Sequence, residues 1–199
     1  MTNPVPRPHL VGGPEHREIH IDDYDPSWPT RFDEHRIRLT ESLGSRALRI
    51  EHVGSTAVPG LAAKPVIDIQ LSVDDVSATA DYEPHLLDAG YQLRVVEPGH
   101  RMYRTPDRDV HVHLWADSAD ERRHLLFRDR LRASPDDRER YEELKRTLAH
   151  RDWPDVNDYA QAKGPLIAEI VRNAETWAAE VGWDPSGDDG TGALDDGGE

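Results

Sequence analysis

The stretch Ile50-Glu51-His52-Val53-Gly54-Ser55-Thr56-Ala57-Val58-Pro59-Gly60-Leu61-Ala62-Ala63-Lys64-Pro65-Val66-Ile67-Asp68-Ile69-Gln70-Leu71 decides how this chain is read. It opens as a strand, breaks at Gly54-Ser55, passes through Pro59, Lys64 and Pro65, and returns as a second strand carrying one acid. In the first strand Leu48, Ile50 and His52 share a face opposite Arg49, Glu51 and Val53. In the second, Ile67, Ile69, Leu71 and Val73 point one way and Val66, Asp68, Gln70 and Ser72 the other. A Gly-Ser turn after a strand lets backbone amides and a hydroxyl approach a phosphate, because glycine has no Cβ. Asp68 on the return strand can hold a divalent cation against the same phosphates. The same residues also fit an ordinary turn and a buried, hydrogen-bonded acid.

A third strand is expected from Asp109 to Trp115, with Asp109, His111, His113 and Trp115 on one face. The two imidazoles then lie about 7 Å apart along the strand, suited to two ligands of one metal or to a ligand and a general base. A pair of half-exposed polar residues is the plain alternative. A hairpin precedes this strand, Gln92 to Val96 and His100 to Tyr103 about Pro98-Gly99.

Helices are expected around these strands. Ser27 caps the first, which presents Trp28, Phe32, Leu39 and Leu43 and stops at Gly44. A helical crossover runs from Asp74 to Gly90, broken near Pro84. Ser118 opens a capping box for a helix bearing Leu125, Leu126, Phe127 and Leu131, and a further helix holds Tyr141, Leu144 and Leu148. A long helix from about Gly164 ends at Gly182. Glu18 to Asp22 alternates like an edge strand. Residues 1–17 read as a flexible arm, 18–182 as one domain, and 183–199, acidic and glycine-rich, as a disordered tail.

The chain carries 39 acidic and 24 basic residues, a formal net charge of -15, which disfavours non-specific binding to a phosphate backbone. This acid excess resembles halophile-type composition and reads as surface solvation. There is no cysteine, so metals would be held by carboxylates, imidazoles, carbonyls or substrate phosphates. No apolar run is long enough for a membrane span and no signal peptide is visible, so a cytoplasmic location is expected. Only three cations are lysines, Lys64, Lys145 and Lys163. A chain that writes its other cations as arginine keeps lysine where a compact, rotatable ammonium suits a phosphate, or by chance on the surface. The sequence assigns no role to Lys145 or Lys163.

The stretch from Glu51 to Ile69 resembles the signature of the GrpB family. Supporting matches are Tyr24-Asp25-Pro26-Ser27-Trp28, His111-Val112-His113, Phe127-Arg128-Asp129-Arg130-Leu131-Arg132, Tyr159 and Ala162-Lys163, and the likeness covers roughly residues 18–178. The resemblance implies an α/β (α+β) nucleotidyltransferase-like fold, a mixed sheet flanked by helices with further helices at the C-terminus. That superfamily carries a Gly-Gly/Ser turn, an acid-hydrophobic-acid strand and a third acid on a later strand. Here the turn is Gly54-Ser55 and the first acid Asp68, while Gln70 stands at the second acid position and His111 and His113 at the third.

The implied catalytic and metal residues are Asp68, His111 and His113. The implied ligand or phosphate contacts are His52, Gly54, Ser55, Thr56, Lys64, Gln70, Arg101 and Arg128. The implied cofactor is a divalent metal, Mg²⁺ or Mn²⁺ ahead of Zn²⁺. One Asp and a neutral amide suit two Mg²⁺ ions poorly, and a single ion shared with an imidazole favours Mn²⁺, Zn²⁺ or a similar ion over Mg²⁺. Two functions follow from the resemblance. One is metal-dependent nucleotidyl or phosphoryl transfer on a nucleotide or other small phosphorylated ligand. The other is a non-catalytic nucleotide- or coenzyme A-related module with a degenerate metal site, since family members occur joined to dephospho-coenzyme A kinase.

Overall fold

The computed structural model describes residues 8–116 and 119–185. Among the described residues six strands form one sheet: β1 (His9–Leu10), β2 (Arg49–Val53), β3 (Ile67–Ser72), β4 (Gln92–Glu97), β5 (His100–Arg104) and β6 (Val110–Trp115). Their order is β1-β4-β5-β6-β3-β2, with β3 and β6 parallel and every other pair antiparallel. Six α-helices of the described residues surround it: α1 (Trp28–Leu43), α2 (Thr79–Asp88), α3 (Ala119–Ala133), α4 (Pro135–Ala149), α5 (Val156–Ala162) and α6 (Gly164–Val181). This is the expected mixed sheet flanked by helices, with helices at the C-terminus.

Strand alternation divides the sheet into an apolar face and a chemical one. Ile67, Ile69 and Leu71 of β3 and Val110, Val112 and Leu114 of β6 are fully buried with Trp28, Leu39 and Leu43 of α1 and Tyr82 and Leu86 of α2. Burying such side chains stabilises the fold by about 1.5–3 kcal/mol each. The intervening residues Asp68, Gln70, His111 and His113 face the other way. Among the described residues no helix is long and apolar enough to cross a membrane.

Local chemistry departs from expectation in several places. Ser27 caps nothing with its side chain; Asp25 Oδ1 accepts the Ser27 amide at 2.8 Å instead, and Pro29 opens α1. The expected break at Pro84 does not occur, because Tyr82 and Leu86 are buried on either side of it and the Tyr82 hydroxyl donates to the Val76 carbonyl at 2.5 Å. Packing there outweighs the loss of one helical hydrogen bond. Glu18 to Asp22 has no strand neighbour beyond an isolated bridge between Asp22 and Ala63; Ile19 is buried among helices with Leu148 and Tyr159.

The described part of the expected arm docks on the domain. His9–Leu10 covers the open backbone edge of β4, and Glu15 pairs with Arg104 at 2.7 Å. That hydrogen bond is the main reason the Glu15 pKa falls to about 2. At the other end α6 stops at Gly182 in the left-handed region, and Trp183 Nε1 donates to Asp129 at 3.0 Å. Ser118, residues 1–7 and the tail from 186 lie outside the described residues. Helix α5, which sequence periodicity does not reveal, is capped by Asp155, whose carboxylate accepts the Asn157 amide at 3.0 Å.

Candidate functional site

The parallel pairing of β3 with β6 sets Asp68 beside His111 and Gln70 beside His113, while the antiparallel pairing with β2 sets Val53 beside Asp68. Side chains at these positions share the face away from α1 and α2. His111 Nδ1 lies 3.2 Å and His113 Nε2 3.6 Å from Asp68 Oδ1. One ligand atom from each of the three residues fits within a 4.8 Å span. Burial alone would raise the Asp68 pKa, but its contacts with His111 and His113 outweigh it and hold the carboxyl well below the usual range. Burial holds the His111 pKa down and keeps that ring neutral near pH 7.

Gly54 begins the turn with φ +72° and ψ -168°, a conformation nearly confined to glycine. A Cβ placed there would come within 2.5 Å of Asp68 Oδ2. The space opened by the missing side chain is therefore filled by the Asp68 carboxylate itself. The turn and the acid are one packed unit.

A chain of hydrogen bonds approaches the same point from β5. His100 Nδ1 lies 2.8 Å from Glu97 Oε2, and His100 Nε2 lies 3.1 Å from His113 Nδ1. Burial, reinforced by the nearby His113, lowers the His100 pKa to about 4, so the ring is neutral and carries one proton. A carboxylate only accepts, so that proton is on Nδ1 and His100 Nε2 is an acceptor. His113 must then donate from Nδ1. In neutral His113 this leaves the Nε2 lone pair facing the Asp68 oxygen at 3.6 Å, two acceptors opposed. His113 stabilises the ionised Asp68 only with a proton or a cation between them, and otherwise that stabilisation comes from His111.

The remaining wall of the cavity, whose volume is about 560 Å³, comes from the C-terminal helices. Ser55, Lys64, Asp68, His111 and His113 line it together with Lys145 and Lys163, so all three lysines reach one space. Helix α4 grips the loop before Lys64 from both sides: Glu142 Oε2 accepts the Ala62 amide at 3.1 Å, and Lys145 Nζ donates to the Ala62 carbonyl. Lys145 is fully buried, and desolvation, followed by the charge of Lys163, lowers its pKa to about 7. Burial lowers Lys64 and Lys163 as well. His124 of α3 packs edge-on to both His113 and Trp115, and burial lowers its pKa to about 4.

Five sequence candidates stand away from this cavity. His52 is stacked on Phe32 and bonded to Thr56 Oγ1 at 3.0 Å, and Thr56 in turn donates to the Val66 carbonyl at 3.2 Å. Both are buried, and His52 Nε2 and the Thr56 hydroxyl are used within the fold. Gln70 shares the Asp68 face but is 0% exposed beneath α3, with Nε2 3.5 Å from Glu121. Arg101 points to the opposite face, donating to the Val76 carbonyl at 3.3 Å.

Arg128 ties α3 to β2 through Glu51 at 2.8 Å and the His52 carbonyl at 3.0 Å. Its side chain is 3% exposed, and Arg128→Ala is expected to lower stability by about 3 kcal/mol in urea denaturation at pH 7. His100, His124, Tyr159, Lys145 and Lys163 were not predicted as site residues. The lysine scarcity was the signal that pointed toward two of them.

Buried histidines also give a pH dependence. Burial lowers the His52 pKa to about 4, below its ordinary value of 6.5. The unfolded chain then takes up a proton that the folded chain refuses, so the stability His52 confers is complete above pH 6.5 and lost as pH falls toward 4. The expected slope from this residue is up to about 1.4 kcal/mol per pH unit. His52→Gln should flatten that part of the stability profile in urea titrations between pH 7 and pH 4.5.

Comparison with known proteins matches residues 18–173 to the family described as GrpB protein. A UPF0157 protein of Streptomyces coelicolor is 50% identical over 166 residues, covering 83% of this chain and 89% of that protein. One from Halalkalibacterium halodurans is 44% identical over 165 residues, covering 81% of this chain and 85% of the other. The crystal structure of conserved protein GrpB from Enterococcus faecalis aligns with a TM-score of 0.68 at 32% identity, covering 79% of this chain and 99% of that one. The match takes in the turn, the acid strand and most of the C-terminal helices, and this chain belongs to the GrpB family.

Proposed function

We propose that the protein binds a small phosphorylated ligand, a nucleotide in the first instance, beside one divalent cation, and transfers a nucleotidyl or phosphoryl group from it. The observation that carries this reading is the convergence of Asp68, His111 and His113 with ligand atoms inside 4.8 Å. The donor set fits one ion of the Mn²⁺ type: a single carboxylate with two imidazoles, one of which presents a lone pair fixed by the Glu97-His100-His113 chain. Such an ion would polarise a phosphoryl oxygen and offset charge at the reacting group.

The chain's own residues supply the rest. Gly54 lets Asp68 approach the turn, Ser55 offers a hydroxyl at the cavity wall, and Lys64 brings a cation beside them. The expected result is Mn²⁺-dependent consumption of a labelled nucleoside triphosphate by the wild type in an acceptor screen. Equal turnover by Asp68→Asn would remove Asp68 from the mechanism.

A second reading, a non-catalytic nucleotide- or coenzyme A-related module, is favoured by Gln70. The second acid position of the superfamily pattern is neutral and covered by α3, so two-metal chemistry has no ligand set there. A dephospho-CoA kinase of Mycolicibacterium paratuberculosis is 35% identical over 191 aligned residues, but only 47% of its length is matched. Thermal shifts with coenzyme A precursors that do not depend on metal, without turnover, would select this reading.

A further inference from the structure

The chain holds 39 acids against 24 bases, so acids are in ample supply to pair its cations. Many arginines are paired at short range, including Arg31 with Asp109, Arg104 with Glu15, Arg122 with Glu175, Arg130 with Asp137 and Arg146 with Asp23. Lys145 has the Ala62 carbonyl. The ammonium groups of Lys64 and Lys163 have neither a hydrogen bond nor an ion pair among the described residues. Both ammonium groups instead lie over one ring, that of Tyr159, at 5.9 Å and 4.9 Å from its centroid.

This arrangement costs free energy as it stands. Two like charges are drawn together on a half-buried cavity wall, where the field of Asp68 and cation–π contacts of about 0.5–2 kcal/mol each offset only part of the desolvation. An anion seated between the two ammoniums would offset both the repulsion and the desolvation. Carboxylates are best met by the bidentate fork of arginine, whereas two rotatable point charges suit the tetrahedral oxygens of a phosphoryl group. The position is also built rather than incidental. Lys64 is set by the α4 grip on Ala62 and by the Asp22–Ala63 bridge, and Lys163 lies at the junction of α5 and α6.

We propose that Lys64 and Lys163, spread over Tyr159, form an anion subsite that takes a phosphoanhydride or phosphomonoester group of the ligand from the helical side of the cavity. This rests on the reading of the cavity as a phosphorylated-ligand site. It adds α5 and the start of α6 to the recognition surface and gives Lys163 a function.

With three lysines in the chain, trace acetylation read by mass spectrometry reports each amine separately. Inorganic pyrophosphate, in buffer without divalent cations, is expected to slow labelling of Lys64 and Lys163 by about 5-fold or more and to leave Lys145 unchanged. In equilibrium dialysis Lys64→Met and Lys163→Met should each weaken pyrophosphate binding by about 10-fold, the effect of losing one charge-assisted contact. Lys163→Arg should keep most of the affinity, which a purely structural role for the ammonium stem would not predict from Lys163→Met with an unchanged melting temperature.

Pyrophosphate binding with neither lysine protected, or no pyrophosphate binding at all, overturns the subsite. Mn²⁺ titration of the same samples separates the two levels. If Mn²⁺ binds through Asp68 while pyrophosphate ignores the lysines, the subsite fails and the metal reading stands. If the lysines are protected and Mn²⁺ does not bind, the subsite stands and the metal reading fails.

Discussion

Asp68→Asn is expected to reduce Mn²⁺ affinity by more than about 100-fold, because it removes the single carboxylate of the trio and leaves two neutral imidazoles with an amide oxygen. Isothermal titration of the apo protein measures this directly. The same substitution has a pH signature. Contacts with His111 and His113 depress the Asp68 pKa in the folded chain despite burial, so the stability this carboxylate confers is present above its unfolded pKa and is lost on acidification through its folded one. Wild type and Asp68→Asn should therefore differ in urea midpoint at pH 7, and the difference should begin to shrink only as pH falls below the ordinary carboxylate pKa of about 4. A variant as stable as wild type at pH 7 would mean that His111 does not stabilise the ionised acid.

Gly54→Ala is expected to be damaging out of proportion to one methyl group. The backbone at φ +72° and ψ -168° costs a non-glycine residue about 1–3 kcal/mol. The new Cβ would also meet Asp68 Oδ2 at 2.5 Å, so the carboxylate or the turn must move. A total loss near 3 kcal/mol or more is expected in urea denaturation, together with a loss of Mn²⁺ affinity in whatever fraction remains folded. Full Mn²⁺ affinity in a stably folded Gly54→Ala protein would show that the turn does not position the acid.

The two strands and the turn between them were legible because their chemistry is local. Alternation over Ile67, Asp68, Ile69, Gln70 and Leu71 separates core from site at every step, and a period of two admits no other assignment of faces. The convergence of Asp68 with His111 and His113 was expected only as a shared face, since the register of β3 against β6 depends on a parallel pairing between segments some forty residues apart. Gly54 was read as an opening for a phosphate; its freedom is used by Asp68.

The candidates that stand away from the cavity are those whose side chains are spent inside the fold. Arg128 looks like an anion ligand by type, but it is the buried tie between α3 and β2. Thr56 and His52 sit in the motif and bond to each other. Arg101 falls on the wrong face because strand alternation in β5 places His100 and Met102, not Arg101, toward the cavity. What sequence could not supply was the helical wall. Lys145, Tyr159 and Lys163 lie far along the chain from Asp68, and only the packing of α4, α5 and α6 brings them to it. Their one visible trace was the rarity of lysine in a chain rich in arginine.

Anomalous diffraction from crystals grown with Mn²⁺ tests the metal-centred reading most directly. A single peak within coordination distance of Asp68 Oδ1, His111 Nδ1 and His113 Nε2 is the predicted result, and its loss in Asp68→Asn is the matching control. A peak held by other residues, or none at these three in crystals where Mn²⁺ is bound elsewhere, would contradict it.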